Sequence, residues 1–171
     1  MKIKKSVKFI LGGSGFLSLL SVSAFIALID LLFKENIDSE PAENFPRELP
    51  GSKGSVTVFQ KRNDGFAMGF LKERGEVVKF FPAVVSAVLL GRLQAISGMK
   101  GRCLEKAGLA VALGGAASNL TDRFRKGYVV DYICINKGAL KKIVVNIGDI
   151  AIALGALLFS VGSLIESFRK N

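Results

Sequence analysis

The sequence of 171 residues is half hydrophobic, with a mean hydropathy of +0.40, and is too apolar for an ordinary soluble domain. It contains no histidine and two cysteines, which excludes Ser-His and Cys-His catalysis and histidine-based metal sites within the chain and argues against a disulfide framework. The net charge of +10 is spread between apolar runs, so the basic residues are expected to contact anionic lipid headgroups rather than nucleic acid.

We predict four membrane-spanning helices, over residues 9–32, 80–97, 107–121 and 143–165. A cleavable signal peptide is the alternative for the first run, because small residues stand at suitable places within residues 22–24. The apolar run passes through that point without a break, which favours a membrane span. In the fourth run, Gly148, Gly155 and Gly162 recur every seven residues, which predicts close packing against a neighbouring helix.

Between the first two runs, residues 35–79 are polar and hold three of the four prolines. We therefore predict an extramembrane insertion rather than a helix. Within it, residues 55–59 are rich in β-branched side chains and are bounded by glycines, which is typical of a short strand. Residues 128–135 also have strand character, and residues 136–138 form a turn. A small sheet is therefore expected beside the bundle, within a single integral membrane domain covering residues 1–171.

The distribution of basic residues predicts how the chain crosses the membrane. Four lysines and no acid precede the first apolar run, which places the amino terminus in the cytoplasm by the positive-inside rule. A count of all lysines and arginines favours the opposite orientation. We follow the first cluster, because the insertion at 35–79 carries many acids as well as its basic residues. Four spans then place both termini in the cytoplasm.

Polar side chains collect at the helix ends on the outer face of this topology. They are Asp30, Asn63, Asn119, Asp122, Asp131, Asn146 and Asp149. Because charge in hydrocarbon is costly, acids at the membrane are candidates for function. Asp30 and Lys34 stand four residues apart with the acid first, which is the favourable order for an ion pair that fixes the helix end.

The spacing of the remaining polar residues sets their relative directions. Asn119, Asp122 and Arg123 stand three and four residues apart and share a helical face. Asn146 and Asp149 are three residues apart and share a face of the fourth predicted helix. Both sets can therefore point toward a common site at the outer boundary.

Asp131 and Asp149 are the candidate catalytic pair. Like charges close together cannot both ionise easily, so one acid keeps a proton while the other is a base, as in aspartic proteases. The base would activate water, and nearby amides or Arg123 would steady the developing oxyanion. The spacing alone leaves other interpretations open. The two acids could be solvated helix ends that never meet, the acids could carry protons or cations in a small proton-coupled transporter, or the chain could be a structural subunit without chemistry.

Four separated blocks of residues resemble the signal peptidase II family, the lipoprotein signal peptidases of bacterial membranes. The blocks are Asp30-x-x-x-Lys34, Asn63-x-Gly65-x-Ala67, Gly114-Gly115-Ala116-x-x-Asn119-x-x-Asp122-Arg123 with Gly127-x-Val129-Val130-Asp131, and Asn146-x-x-Asp149. The resemblance implies an all-α membrane protein of four transmembrane helices with a small extracytoplasmic β-cradle, without metal or cofactor. It implies that Asp131 and Asp149 are catalytic. The lining or supporting residues are then Asn63, Asn119, Asp122, Arg123, Asn146, Asp30 and Lys34.

The activity that the resemblance implies is removal of the signal peptide from diacylglyceryl-modified prolipoproteins, on the amino side of the lipidated cysteine. The active site would lie at the extracytoplasmic face of the bacterial cytoplasmic membrane. Its partners would be that substrate and membrane lipids, with no nucleic acid, and we expect a monomer.

This chain departs from the family pattern at a few positions. They are Ser118 and Gly148, where the family usually has glycine and alanine, Val145 and Met68, where it has phenylalanine, and Leu31, where it has glutamine. None of these departures removes a carboxylate. We expect the small-residue changes beside Asn119 and Asp149 to alter the packing around the pair.

Overall fold

The computed structural model of the chain describes residues 15–65, 73–138, 141 and 143–169. Four long helices lie in these ranges: α1 (Phe16–Ser39), α2 (Gly75–Ser97), α3 (Cys103–Arg125) and α4 (Ile147–Phe168). A 3-10 turn (Ala42–Asn44) and four strands complete them: β1 (Arg47–Glu48), β2 (Val56–Asn63), β3 (Val129–Ile135) and β4 (Val144–Val145). The strands form one antiparallel sheet in the order β1-β2-β3-β4. The predicted beginning of the first span at residue 9, and Ala67 and Met68, lie outside the described residues.

Helix α3 is the central helix of the bundle and packs against α1, α2 and α4. It is also the most buried helix, because half of its length has little exposed surface. Three of the described helices, α1, α2 and α4, are long and apolar enough to cross a membrane. Helix α3 is not among them, because Glu105, Lys106, Asp122 and Arg123 lie within it. The structure therefore contains the four predicted helices, and three of them have the composition of membrane spans.

The central position of α3 depends on glycines that let it touch α4 backbone to backbone. A Cβ atom added to Gly155 would lie 2.5 Å from both the Ala112 nitrogen and the Gly108 oxygen of α3. A Cβ atom on Gly115 would lie 2.2 Å from the Gly148 oxygen. Side chains at these positions would push the helices apart, so the glycine repeat of α4 serves the close packing that its spacing predicts.

Several predicted boundaries are wrong. The fourth helix begins at Ile147 and not at residue 143, because Val144–Val145 pair with β3 as a strand. Residues 35–79 were expected to contain no helix, but α1 continues to Ser39 and α2 begins at Gly75. Helix α1 continues because tertiary contacts outweigh the polar local composition: Ile37 is buried against Val130 and Tyr132 of the sheet. The strand predicted at 55–59 is found and extends through Asn63, and the strand character of 128–135 is confirmed by β3.

The sheet sits on the end of the bundle where α1 and α3 end and α4 begins. In the β2–β3 pair, Lys61 lies opposite Asp131 and Asn63 lies opposite Val129. The register shifts between Val58 and Lys61, so β2 has an irregularity just before these residues. The pairing brings the end of β2 beside Asp131, which places residues far apart in sequence at one junction between sheet and helices.

We predict that Gly155→Ala lowers the midpoint of thermal unfolding in detergent by several degrees. The added methyl group overlaps the α3 backbone, and overpacking of a tight contact costs about 1–3 kcal/mol. Gly91→Ala in α2 is the matched control, because an added Cβ there meets nothing within 4 Å and alanine is the better helix former. Equal midpoints for the two variants would contradict the backbone contact between α3 and α4.

Candidate active site

Lys34 holds the ends of α1 and α3 together through a fully buried ammonium group. Its Nζ lies 2.8 Å from Oδ2 of Asp30 and 3.5 Å from Oδ2 of Asp122. It also donates hydrogen bonds to Oγ of Ser118 at 3.0 Å and to Oδ1 of Asn119 at 2.7 Å. The ion pair expected from the spacing of Asp30 and Lys34 is therefore present, and it is the centre of a larger buried network.

Asp30 connects this network to the sheet and to the beginning of α4. Its Oδ2 accepts a hydrogen bond from the Ser118 hydroxyl at 2.6 Å, and its Oδ1 accepts one from the Tyr132 hydroxyl at 2.9 Å. The same Tyr132 oxygen accepts the backbone N–H of Ile147 at 3.3 Å. Burial and the neighbouring Asp30 carboxylate raise the pKa of Tyr132, which keeps its phenol protonated as the donor.

Tyr132 and Ser118 also belong to the site, although neither was predicted from the sequence to be a site residue. Tyr132 directly follows Asp131 in β3 and points to the opposite side of the strand. A tyrosine beside a candidate catalytic acid was a usable signal, because a buried phenol requires a hydrogen-bond partner. Ser118 was noted only as a departure in packing, whereas its hydroxyl contacts both members of the ion pair.

Lys34 also determines the orientation of the Asn119 amide. Because Oδ1 of Asn119 accepts from Lys34, the amide nitrogen faces away from the ammonium group. That nitrogen donates to Oδ1 of Asp149 at 2.8 Å. A buried cation on α1 thus positions a donor on α3, and the donor positions a carboxylate on α4.

Asp149 is held at the first turn of α4 by a reciprocal cap. The backbone N–H of Asp149 donates to Oδ1 of Asn146 at 2.8 Å, and the backbone N–H of Asn146 donates to Oδ2 of Asp149 at 3.3 Å. The amino-terminal end of a helix also favours negative charge. Both carboxylate oxygens of Asp149 therefore have defined donors in this position.

Asn146 links the two candidate catalytic acids. Its Nδ2 donates to Oδ1 of Asp131 at 2.8 Å, while its Oδ1 binds the backbone of Asp149. Asn63 donates to the other oxygen of Asp131 at 2.9 Å. Burial, and then repulsion by the Asp149 carboxylate, raise the pKa of Asp131 to about 6, despite these two amide donors.

The remaining predicted residues, Asp122 and Arg123, have different places. Asp122 is buried behind the pair, where its Oδ2 accepts the backbone N–H of Val130 at 3.2 Å and its Oδ1 lies 3.6 Å from Nζ of Lys126. It therefore supports the entry into β3. Arg123 is part of the site wall, and its Nη2 donates to the Gly65 carbonyl at 3.1 Å.

Two cavities meet at Asp149. The sheet-side cavity, of about 320 Å³, is lined by Asn63, Arg123, Val129, Asp131, Ile143, Val144, Val145, Asp149, Ile152 and Ala153. The inter-helix cavity, of about 290 Å³, is lined by Phe81, Pro82, Val85, Ser86, Leu89, Ala112, Ala116, Asn119, Arg123, Asp149 and Ile152. The first contains both acids, and the second is mainly apolar. The structure thus brings Asp131 and Asp149 to one cavity and excludes the interpretation in which the two acids never meet.

We predict that Lys34→Ala destabilises the protein more than the double substitution Asp30→Asn with Lys34→Ala. Loss of Lys34 leaves the Asp30 carboxylate buried without its cation, and breaking a buried pair costs about 3–5 kcal/mol. Neutralising Asp30 removes that charge while Asn keeps an oxygen that can accept from Tyr132. Thermal unfolding in detergent measures the effect, and a double variant as unstable as the sum of both single variants would contradict the coupling.

The fold and the site define a helical membrane protein that holds two carboxylates in one cavity at the junction of its bundle and its sheet. The family model described as Signal peptidase (SPase) II matches residues 22–165. The chain belongs to the signal peptidase II family.

Individual relatives agree with this family. A lipoprotein signal peptidase of Actinobacillus succinogenes is 36% identical over 162 residues, which cover 91% of each chain. A lipoprotein signal peptidase of Geobacter sulfurreducens is 33% identical over 127 residues, which cover 72% of this chain and 78% of that protein. Two solved structures of bacterial membrane enzymes share the fold, with TM-scores of 0.72 and 0.68 at 21% identity, and they cover 90% and 86% of this chain.

Proposed function

We propose that this protein is an aspartic endopeptidase that removes the signal peptide from diacylglyceryl-modified prolipoproteins, on the amino side of the lipidated cysteine. The observation that carries the proposal is the cavity shared by Asp131 and Asp149, with Asn146 bonded to both residues. The relatives named lipoprotein signal peptidase favour this activity over a proton-coupled transporter. The position of the acids at the ends of elements also fits a boundary protease better than an ion path through the bilayer.

The pair would share one proton, with Asp131 as its favoured carrier because the pKa of Asp131 is raised to about 6. In this division of roles Asp149 is the ionised partner, and its oxygens accept hydrogen bonds from Asn119 and from the Asn146 backbone. In this proposal, Asp149 takes a proton from water, and the hydroxide attacks the peptide carbonyl. Asp131 gives its proton to the carbonyl oxygen, which forms a tetrahedral diol. When the C–N bond breaks, Asp149 passes the proton that it took from water to the leaving amine, and a diol hydroxyl returns a proton to Asp131.

Arg123 is the group best placed to steady the negative charge that develops in this reaction. It lines both cavities beside Asp149, and its backbone contact to Gly65 fixes its direction. A cation in a largely buried wall stabilises a developing oxyanion more strongly than it would in water. We propose this role for Arg123 and a supporting role for Asn63, which orients Asp131.

The two cavities suggest how a lipidated peptide would lie. The sheet-side cavity would hold the peptide backbone around the bond that is cut, because both carboxylates face it. The inter-helix cavity lies between α2, α3 and α4 and has an apolar lining, so it would take an apolar part of the substrate. Asp149 would then stand where the peptide and apolar portions meet.

The proposed setting is the bacterial cytoplasmic membrane, with the sheet and the two acids at its extracytoplasmic face. Helix α3 would also span the membrane, in addition to α1, α2 and α4. The helices around it would shield its polar residues from lipid. Both termini would then be cytoplasmic. The proposal involves a monomer, membrane lipids and the prolipoprotein, without metal or cofactor.

We predict that Asp131→Asn and Asp149→Asn each reduce cleavage of a diacylglyceryl-modified prolipoprotein by at least about 10²-fold. Asparagine keeps the shape of the side chain and removes the ionisable group, and general acid–base catalysis supplies gains of that order. The effects should not add in the double variant, because residues that act as a unit fail together. Mass spectrometry of the released signal peptide, with purified protein in detergent, measures the reaction.

Asp122→Asn is the control for this experiment and should retain measurable turnover. Asp122 lies behind the pair and bonds to the Val130 backbone, and asparagine can still accept that hydrogen bond. Near-native turnover by Asp149→Asn would contradict the two-carboxylate mechanism. Failure of the native protein to cut a lipidated substrate would contradict the proposed function itself.

We also predict that kcat/KM falls as the pH rises above about 6, because Asp131 then loses the proton that it would donate. Lys61 lies opposite Asp131 in the sheet and lowers the pKa of that acid. Lys61→Gln should therefore move the alkaline limb of the profile to higher pH. Lys137→Gln, an exposed lysine beyond the end of β3, is the matched control and should leave the limb in place. The idea fails if the two variants give the same profile.

A further inference from the structure

The end of the bundle away from the two acids carries a polar cavity and an apolar groove side by side. The polar cavity, here called the arginine cavity, has a volume of about 260 Å³ and is lined by Arg92, Arg102, Glu105, Ser163, Glu166 and Ser167. The groove, of about 190 Å³, is lined by Gly101, Arg102, Cys103, Leu104, Gly162, Ile165, Glu166 and Arg169. Arg102 and Glu166 line both, so the two spaces are adjacent and share a wall. Since Arg102 precedes α3 and Arg123 is near its end, this place lies roughly 30 Å from the candidate active site.

The arginine cavity and the groove together are lined by three guanidinium groups and two carboxylates. Glu105 is buried, and its Oε2 lies 2.8 Å from Nη1 of Arg102 and 3.8 Å from Nη2 of Arg92. One carboxylate thus faces two guanidinium groups, each of which has five N–H donors. Glu166 contacts Arg169 instead, at 3.4 Å. Arg92, Arg102 and Arg169 thus exceed the two carboxylates by one positive charge, and their guanidinium groups keep N–H donors that can bind an additional anion.

The net charge of the described residues at this end of the bundle is also positive. Among the residues that the structure describes at this end, the cationic side chains are Arg92, Lys100, Arg102, Lys106 and Arg169, and the acids are Glu105 and Glu166. Ser163 and Ser167 stand one helical turn apart on the same face of α4 and add hydroxyl groups to the cavity wall. Guanidinium and hydroxyl donors together are the groups that bind phosphate oxygens in proteins.

The groove beside the cavity is suited to a hydrocarbon chain. Its floor is the contact of α3 with α4, where a Cβ atom on Gly162 would lie 2.7 Å from the Glu105 nitrogen. Leu104 and Ile165 form its walls and are 39% and 45% exposed. Helices α2 and α4, both apolar enough to cross a membrane, end here at Ser97 and Phe168. The polar cavity and the groove therefore coincide with a boundary where headgroups and acyl chains meet.

We propose that this end of the protein binds an anionic phospholipid, with the phosphate in the arginine cavity and the beginning of one acyl chain in the groove. Arg92 and Arg102 hold the phosphate, since guanidinium groups match phosphate oxygens in a fork of parallel hydrogen bonds. The site is separate from the carboxylate pair and does not depend on the proposed peptidase activity. Its ligand is a lipid of the surrounding membrane and not the substrate that is cut.

Cys103 is a built-in reporter for this site. It lines the groove and is exposed, whereas Cys134 is buried in the sheet. Alkylation by N-ethylmaleimide of the full chain in detergent micelles therefore measures access to the groove. We expect added phosphatidylglycerol to slow alkylation of Cys103 several-fold, and phosphatidylcholine with the same acyl chains to have little effect. Equal protection by both lipids would overturn the proposal.

Variants at the two ends of the bundle, Arg92 in α2 and Arg125 in α3, test the role of the charge. Arg92→Gln should raise the phosphatidylglycerol concentration for half-protection about fivefold, which is the effect of one basic residue at an anionic lipid surface. Arg92→Lys should keep most of the protection. Arg125→Gln removes an exposed arginine at the other end of α3 and should leave protection unchanged. Equal half-protection concentrations for Arg92→Gln and Arg125→Gln would contradict a site at Arg92.

An experiment with inorganic phosphate shows whether the ligand is a lipid or a free anion. Inorganic phosphate at the same concentrations should leave Cys103 alkylation unchanged, because a free anion does not fill the groove. Protection by inorganic phosphate equal to that by phosphatidylglycerol would replace the lipid by a free anion and overturn the proposal. Arg92 is 44% exposed and lies 3.8 Å from Glu105, so thermal unfolding can confirm that Arg92→Gln stays folded. Alkylation does not require cleavage, so its outcome is distinct from that of the peptidase test.

Discussion

The buried ammonium group of Lys34 is the interaction on which the site depends. A charge without water is costly, and here Asp30, Asp122, Ser118 and Asn119 surround it with oxygens. These partners lie on α1 and α3, so the ion pairs and hydrogen bonds of one cation hold the two helices in a fixed relative position. These partners together offset the cost of burying the charge, with Asp30 the closest carboxylate, which favours a single arrangement of the helix ends over nearby alternatives.

A chain of hydrogen bonds connects Lys34 to the carboxylate pair, and each bond fixes the orientation of the next side chain. Lys34 turns the Asn119 amide, Asn119 holds Asp149, and Asn146 caps α4 while it donates to Asp131. Amides suit these places because each supplies a donor and an acceptor without adding a charge beside the acids. The pair therefore keeps its mutual repulsion, and that repulsion contributes to the raised pKa of Asp131.

Much of this arrangement could be predicted from local patterns, and the rest depends on tertiary contacts. Apolar runs indicated all four helices, and β-branched segments indicated β2 and β3. The end of α1 at Ser39 was missed because burial of Ile37 against the sheet overrides polar composition. The central place of α3 was not predicted, because tertiary packing decides which helix the others surround. Tyr132 escaped notice since its role depends on Asp30, a hundred residues away in the chain.

Ser118 and Gly148, two positions where this chain departs from the family pattern, meet at the same atom. The Ser118 hydroxyl donates to Oδ2 of Asp30, and a methyl group on residue 148 would lie 2.7 Å from that oxygen. The chain thus has an added hydroxyl on one side of the carboxylate and a missing methyl group on the other. Because both groups would crowd one carboxylate oxygen, we expect the residue tolerated at one position to depend on the residue at the other. A buried polar network can accept such matched exchanges at its edge, because the charge at its centre keeps its hydrogen-bond and ion-pair partners.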